Sequence, residues 1–344
     1  MGLFSSGDNN YLGIDIGDHT IKMVELSKKG KKISLVNYGF TDIISNFGFS
    51  YSEDIENISK SLLKVKSDLN IKTNKASVSL PGFSVFSSVI SINNYDKKKI
   101  NERVIEEAKK VIPLPISEMV LDWKIIPDKS NKGGGVKVFL TGSPKKLIKK
   151  YIDVFKKSNI FLSNLETETF SLIRSLLGDD PSTVMVIGMG ANSTSFSIVK
   201  DSIPFLNRSI NISGKTITEE ISKKLGITIE QAEQFKFDLA FSDDFGGGDP
   251  KLINDIVSPI VNEIRYMLDL FSNSNNENVE KIVLSGGGSL LANFSQYLED
   301  YLNIKVIVGD PWFRVSYPQE LKPVLDEVGP KLAVAVGLAL RGTE

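Results

Sequence analysis

The 344-residue chain has no cysteine and a single histidine, His19. The first absence removes disulfide scaffolds, thiol nucleophiles and cysteine-type zinc sites, and the second removes most imidazole catalysis. A charge excess is missing too: 41 Lys and Arg stand against 42 Asp and Glu, a formal net charge of −1. No whole-molecule field steers the chain toward nucleic acid or anionic lipid. No apolar run approaches the roughly 18 residues of a membrane-spanning helix, and the start lacks the charged-then-apolar layout of a secretory signal. These absences predict a cytoplasmic protein whose chemistry runs on carboxylates, lysines, hydroxyls and backbone amides. MGLFSS fits the N-myristoylation pattern, which is short enough to arise by chance. The closing KLAVAVGLALRGTE reads as a small-residue core helix and not as a basic tail for a membrane surface. What is present is globular: 41% hydrophobic and 24% charged residues exclude a disordered chain, and the length fits two domains.

Periodicity gives the order of elements. YLGIDIG, HTIKMVELS and ISLVNYGF read as three strands around short turns. Between Asn46 and Asn74, Ile55, Ile58, Leu62 and Leu69 share one helical face. ASVSLPG and VFSSVISI are strand-like, and a helix follows from Lys97 to Ile112 until Pro113 and Pro115 stop it. VLDWKII and VKVFLTG flank the loop DKSNKGGG, and Leu147, Tyr151 and Phe155 mark a helix after Pro144. Near Pro181 the pattern starts again, for TVMVIGMGANSTSFSIVK has the layout of NYLGIDIGDHTIKMVEL about 170 positions earlier. Thr228 and Gln231 form a capping box. Asp249 and Pro250 open a helix with Leu252, Ile256, Ile260, Ile264, Leu268 and Phe271 on one face, which Pro259 should bend. Strand KIVLS, a glycine run, a helix through Tyr301, strand IKVIVG and the closing helix complete an α/β chain.

Three segments could carry chemistry. In GIDIGDHTIK, Asp15 ends an apolar strand, Gly17 permits a tight turn, and the amides of Asp18, His19 and Thr20 could form a nest for phosphate oxygens. Lys22, early in the return strand, could add a point charge, and Asp15 could hold a hydrated Mg²⁺. The same residues also fit a hairpin in which Asp15 merely caps its own turn. IGMGANSTSF could supply a second nest, so that two turns grip a polyphosphate across a cleft. In IVLSGGGSLL the glycines let backbone approach a flat ligand at a helix N-terminus, and the segment fits neither the P-loop nor the GxGxxG fingerprint.

The order strand-DxGxxxxK, strand-GxGA and strand-GGG resembles the actin-like nucleotide-binding superfamily. Within it, nearly the whole chain resembles the type IV pilus assembly PilM family. The likeness lies in GIDIGDHTIKMVEL, EEAKKVIPLPISEMVLDW, SNLETETFSLIRSL with its paired Glu166 and Glu168, SGKTITEEISKKLGITIEQAEQFK, SGGGSLLANFSQYLEDYLNIKVIVGDPW and AVAVGLALR.

That resemblance implies an actin-like (ribonuclease H-like) two-domain α/β fold around a nucleotide cleft, with an FtsA-like insert. The expected first subdomain takes residues 1–41, 162–182 and 308–344, and the insert 42–161, from about Asp42 to Phe161. The second takes 183–213 and 272–307, with a helical subdomain over 214–271. Implied nucleotide contacts are Asp15, Gly17, Asp18, His19, Thr20 and Lys22 in the first turn, and Gly188, Gly190, Ala191 and Asn192 in the second. Gly214, Lys215, Glu233 and Lys236 would face adenosine from one side, with Gly286, Gly287, Gly288 and Leu290 on the other. Glu233 and Lys236, three apart, equally fit a solvated ion pair. ATP and Mg²⁺ are the implied cofactors, the metal held by Asp15 through water. Hydrolysing members carry an aspartate where this chain has Gly188, which implies weak or absent turnover.

The implied function is an ATP-binding scaffold of the pilus platform, held at the inner face of the cytoplasmic membrane through partners. It would dock the cytoplasmic N-terminal tail of PilN in a groove between the first domain and its insert. Other platform proteins, motor ATPases and a homo-oligomer are further implied partners, and nucleic acid is not. The alternatives are a filament-forming FtsA-like ATPase and a small-molecule kinase of the same superfamily.

Overall fold

The computed structural model describes residues 10–17, 20–42, 51–93, 98–126, 135–239 and 250–344. The expectations for MGLFSS, Asp18, His19 and Asp249 lie outside the described residues. The alternating N-terminal runs form β1 (Asn10–Ile16), β2 (Thr20–Lys29) and β3 (Lys32–Asp42), with the β2–β3 turn closed by Gly30 at φ +63°. Next come α1 (Tyr51–Asp68), β4 (Lys75–Leu80), β5 (Phe86–Ile92), α2 (Ile100–Val111), β6 (Met119–Ile126), β7 (Val136–Pro144) and α3 (Lys145–Lys157). Strand β8 (Phe161–Thr167) leads directly into α4 (Glu168–Leu172), which continues as a π-turn over Ile173–Leu177.

The second half repeats the first. Strands β9 (Val184–Met189), β10 (Thr194–Lys200) and β11 (Ile203–Ile210) are followed by α5 (Gly214–Leu225), α6 (Ile229–Leu239) and α7 (Pro250–Asn275). Then come β12 (Lys281–Ser285), α8 (Phe294–Leu302), β13 (Lys305–Val308) and α9 (Lys322–Arg341). One five-stranded sheet has the order β3-β2-β1-β4-β8 and the other β11-β10-β9-β12-β13. In each, three antiparallel strands are followed by two parallel ones.

The repeat holds to the residue. Gly17 N donates to Thr20 O and Gly190 N donates to Ser193 O, both at 2.9 Å. With these turns superposed in register, Asp15 opposite Lys22 in β1–β2 corresponds to Gly188 opposite Ser195 in β9–β10. The capping box forms as its sequence predicts: Thr228 N donates to Gln231 Oε1 (3.0 Å) and Gln231 N to Thr228 Oγ1 (3.2 Å). Helix α7 runs unbroken through Pro259 and buries Ile256, Ile260, Ile264 and Phe271 against the second sheet.

The expected insert of 42–161 is too wide. Strand β4 pairs in parallel with β1 and β8 and is buried along almost its whole length, so it belongs inside the first sheet. Ile58 and Leu62 of α1 and Val154 and Phe155 of α3 share one core with that sheet. What stands apart is the three-stranded sheet β5-β7-β6, with Val104 and Ala108 of α2 in a core of its own.

Candidate functional site between the two sheets

The matched turns face each other across a cleft of about 120 Å³. The first turn contributes Asp15, Gly17, Thr20 and Lys22, and the second Gly188, Gly190, Ala191, Asn192 and Ser195. Asp15 is 4% exposed, at the inner end of β1. Its Oδ2 accepts from Lys22 Nζ at 2.9 Å and its Oδ1 from Ser79 Oγ at 3.0 Å. One buried carboxylate is thus oriented by a cation on one oxygen and a hydroxyl on the other.

Glycine is a geometric requirement at Gly286, where φ is +83° and a Cβ would lie 2.3 Å from Met189 O. Its amide donates to Pro330 O at 2.9 Å, and Ser285 Oγ donates to the same carbonyl at 3.2 Å. These bonds fasten α9 to the end of β12 and bring Lys331 and Val334 into the cleft wall. The N-terminal residue of α4, Glu168, lines the same cleft, and with Asp15 it supplies the carboxylates among the described lining residues.

The cleft lining holds part of the expected contact set. Gly214, Lys215, Glu233, Lys236, Gly287, Gly288 and Leu290 are not part of the cleft lining. The Lys236 ammonium donates to Gly214 O (3.1 Å), Thr218 Oγ1 (2.8 Å) and Glu233 Oε2 (2.7 Å). It is a buried strut between α5 and α6, and burial pulls its pKa below the usual lysine value despite the Glu233 carboxylate. Gly214 N donates to Gly190 O and Lys215 N to Ala191 O, at 3.1 and 3.2 Å, so the first turn of α5 braces the second cleft turn from behind. Conversely, Lys331, Glu168, Ser195 and Phe83 line the cleft without having been expected there. The paired acids Glu166 and Glu168 were a usable signal for one of them, whereas Lys331 is hidden in an apolar helix.

A second, larger groove of about 460 Å³ opens between the insert and the second sheet. Its apolar side includes Phe86, Ile112, Pro113, Met119 and Phe139, and its rim has Phe83 and Leu114, 59% and 50% exposed. Its polar side has Thr167 and Thr169 at the β8–α4 junction, Ser195 and Ser197 at alternate positions of β10, and Asn207, Arg208 and Ser209 of β11, with Arg208 paired to Glu263. An edge-to-face pair, Phe139 with Phe170 at 5.4 Å, ties the insert to α4 beside it.

Residues 13–343 match the family described as Type IV pilus assembly protein PilM. The chain belongs to that family. It is similar to a solved "PilM-PilN type IV pilus biogenesis complex" over 97% of its length and 98% of the other chain, at 24% identity and a TM-score of 0.82. MreB5 of Spiroplasma citri bound to AMPPNP is similar over 96% of this chain and 95% of its own, at 12% identity and a TM-score of 0.56. The ethanolamine utilization protein EutJ of Carboxydothermus hydrogenoformans is similar over 96% and 89%, at 14% identity and 0.54. The PilM-family chain therefore has an actin-like fold, and among its described residues no helix is long and apolar enough to cross a membrane.

Proposed function

We propose that this PilM-family chain is an ATP-binding scaffold of a type IV pilus assembly platform, and that it docks the cytoplasmic N-terminal tail of PilN. The observation that carries the nucleotide half is the pair of superposable turns converging on one cleft, with the Asp15–Lys22 pair at its inner end. Gly17 leaves the space before the ammonium open, since a Cβ there would stand 3.8 Å from Lys22 Nζ. In this reading Lys22 and the two turns grip the phosphates. The similar MreB5 structure is of a protein bound to AMPPNP, which supports the same ligand class.

The donor set suits magnesium, which keeps most of its waters and needs few carboxylates. Both Asp15 oxygens already accept hydrogen bonds, so the metal would be held through its water shell, and Glu168 is the other carboxylate among the described cleft-lining residues. Bound there, the ion would offset phosphate charge. With no carboxylate at position 188, the water that attacks the terminal phosphate lacks one positioning group, and turnover should be slow while binding persists.

The groove beside the cleft is our candidate seat for the PilN tail. Its hydroxyl and amide groups, with Arg208 among them, face an apolar wall, which fits an extended segment with alternating side chains. The similar solved complex contains PilN, which supports that choice of occupant.

Thermal or chemical melting with and without MgATP tests the nucleotide site. A micromolar site at millimolar ATP stabilises the folded state by about 4 kcal/mol, and Asp15→Ala should lose most of that gain. No stabilisation of the wild type would overturn the reading.

A further inference from the structure

Helix α3 has six lysines and one aspartate in 13 residues, a net charge of +5 inside a chain of net −1. Its buried face, Tyr151, Val154 and Phe155, packs into the core of the first sheet. On the outer face Lys145, Lys149, Ile152 and Lys156 recur at spacings of four, three and four, and all are exposed, Ile152 by 49%. The neighbouring helix α1 repeats the arrangement. Ser59 Oγ donates to Val154 O at 3.1 Å and joins the two helices over one core, and α1 exposes Lys60, Leu63 and Lys64, with Leu63 46% exposed. Each row is a line of cations with one aliphatic side chain among them.

The acids near these rows are already matched. Asp153 pairs with Lys149 (2.6 Å), Asp54 with Lys150 (2.5 Å), and Glu56 with Lys60 (3.2 Å) and Lys157, while Glu53 and Asp68 stand at the two ends of α1. Lys64, Lys145, Lys146 and Lys156 make no ion pair among the described residues. A helix face that serves solubility alone alternates its signs at i,i+4. Here Lys145 and Lys149, and Lys146 and Lys150, set like charges at that spacing. Lys145 and Lys146 also occupy the first turn, where the helix dipole disfavours cations and neither an acid nor a side-chain cap offsets them. The helix keeps its lysines at a local cost in stability, which a dense anionic surface would remove.

We propose that the outer face of α1 and α3 rests directly on anionic phospholipid headgroups, with Lys64, Lys145, Lys146 and Lys156 against the phosphates and Leu63 and Ile152 reaching the acyl boundary. Ammonium groups on flexible stems attract an anionic leaflet as point charges, and aliphatic side chains between them enter the interface. The rows hold no arginine and no aromatic ring, the groups that grip single-stranded nucleic acid. The face adjoins the larger groove, for Pro144 lines that groove and Lys145 and Lys146 follow it at once. Contact with lipid needs no PilN, and a tail held in the groove would act as a second attachment to the same membrane.

Co-sedimentation of the full chain with vesicles tests this, comparing phosphatidylglycerol mixed equally with phosphatidylcholine against phosphatidylcholine alone. Partition into the anionic vesicles should exceed that into the neutral ones by about tenfold or more, and should fall as salt rises from about 0.1 M to about 1 M. The triple variant Lys145→Glu, Lys146→Glu and Lys156→Glu should lose that excess, since each lysine near the surface changes partition roughly fivefold. A charge-matched triple variant, Lys109→Glu, Lys124→Glu and Lys223→Glu, alters exposed lysines of α2, β6 and α5 and should keep it. Ile152→Trp, which adds an interfacial ring, should strengthen binding to the anionic vesicles. Equal partition of the wild type into both vesicle types, or equal losses in the two triple variants, would overturn the proposal. Capture of a single-stranded oligonucleotide in place of anionic vesicles would overturn it as well, by assigning the face to nucleic acid.

Discussion

A Cβ added to Gly188 would lie 2.7 Å from Ser195 Oγ, closer than side-chain carbons come to their neighbours. The two residues are directly opposed in the β9–β10 pairing, and the matching pair in the first half is Asp15 opposite Lys22. One half of the duplicated hairpin thus has a charged pair at this place, while the other holds a glycine and a serine. The absent second carboxylate is built into the packing, since Leu172 Cδ1 also stands 3.4 Å from the same Cβ position.

Restoring the acid should therefore fail on its own. Gly188→Asp forces Ser195 or Leu172 aside, and overpacking of this kind costs about 1–3 kcal/mol. Denaturant midpoints should fall accordingly, and phosphate release from MgATP should not rise. Pairing it with Ser195→Gly should recover part of the stability, because the nearest obstructing atom is then gone. A stable Gly188→Asp protein with enhanced hydrolysis would show that the turn is looser than its geometry.

Lys331 shows how an unforeseen residue reaches the site. The helix α9 that carries it is pinned to β12 through Pro330 O, and the lysine stands in the cleft wall. A cation there should act on phosphate charge and much less on the base. We expect Lys331→Ala to weaken MgATP binding roughly 10-fold to 100-fold, the size of a lost charge-assisted bond of about 1.5–3 kcal/mol. Adenosine affinity should change less than the ATP affinity does, and Lys331→Arg should restore part of the loss. Equal losses for adenosine and ATP would assign Lys331 to the shape of the cleft.

The repeat, the helices with apolar residues every fourth position and the capping box were all legible in the sequence, because each is a local pattern with one physical reading. What was not legible is non-local. Strand β8, FLSNLET, is an edge strand with alternate residues exposed, so it lacks the continuous apolar run that marks β9 or β12. KASVSL of β4 reads as a strand, but nothing in its own residues says that it joins β1 and not the insert. The Glu233–Lys236 pair was visible as i,i+3 neighbours, but nothing local says that the lysine also bonds Gly214 O and Thr218 on another helix. Likewise Lys331 lies amid apolar residues, and only the hydrogen bonds to Pro330 place it.

Glu166 joins β8, the π-turn and α9 into one buried ionic joint. Its Oε1 accepts from Arg174 Nη1 (2.7 Å) and Ser171 Oγ (2.8 Å), and its Oε2 from Arg174 Nη2 (3.2 Å) and from Arg341. Burial pushes its carboxyl pKa up, but the hydrogen bond and charge of Arg174 outweigh that and hold it below the ordinary glutamate value. A pKa lowered by folding means stability that is complete above the unfolded value, about 4.3, and is lost as pH falls through the folded one. Glu166→Gln leaves two guanidinium groups short of a counter-charge, and breaking such a buried cluster costs about 3–5 kcal/mol. Unfolding free energies measured in urea from pH 7 down to pH 3 should therefore show a lower value for the variant at pH 7 and a shallower decline toward acid. Asp180, whose pKa is lowered to about 2 chiefly by the hydrogen bond from Lys281, contributes to the same acid limb. If Glu166→Gln keeps the full wild-type slope, the acid sensitivity belongs to Asp180 and other surface carboxylates, and the joint at Glu166 does not set it.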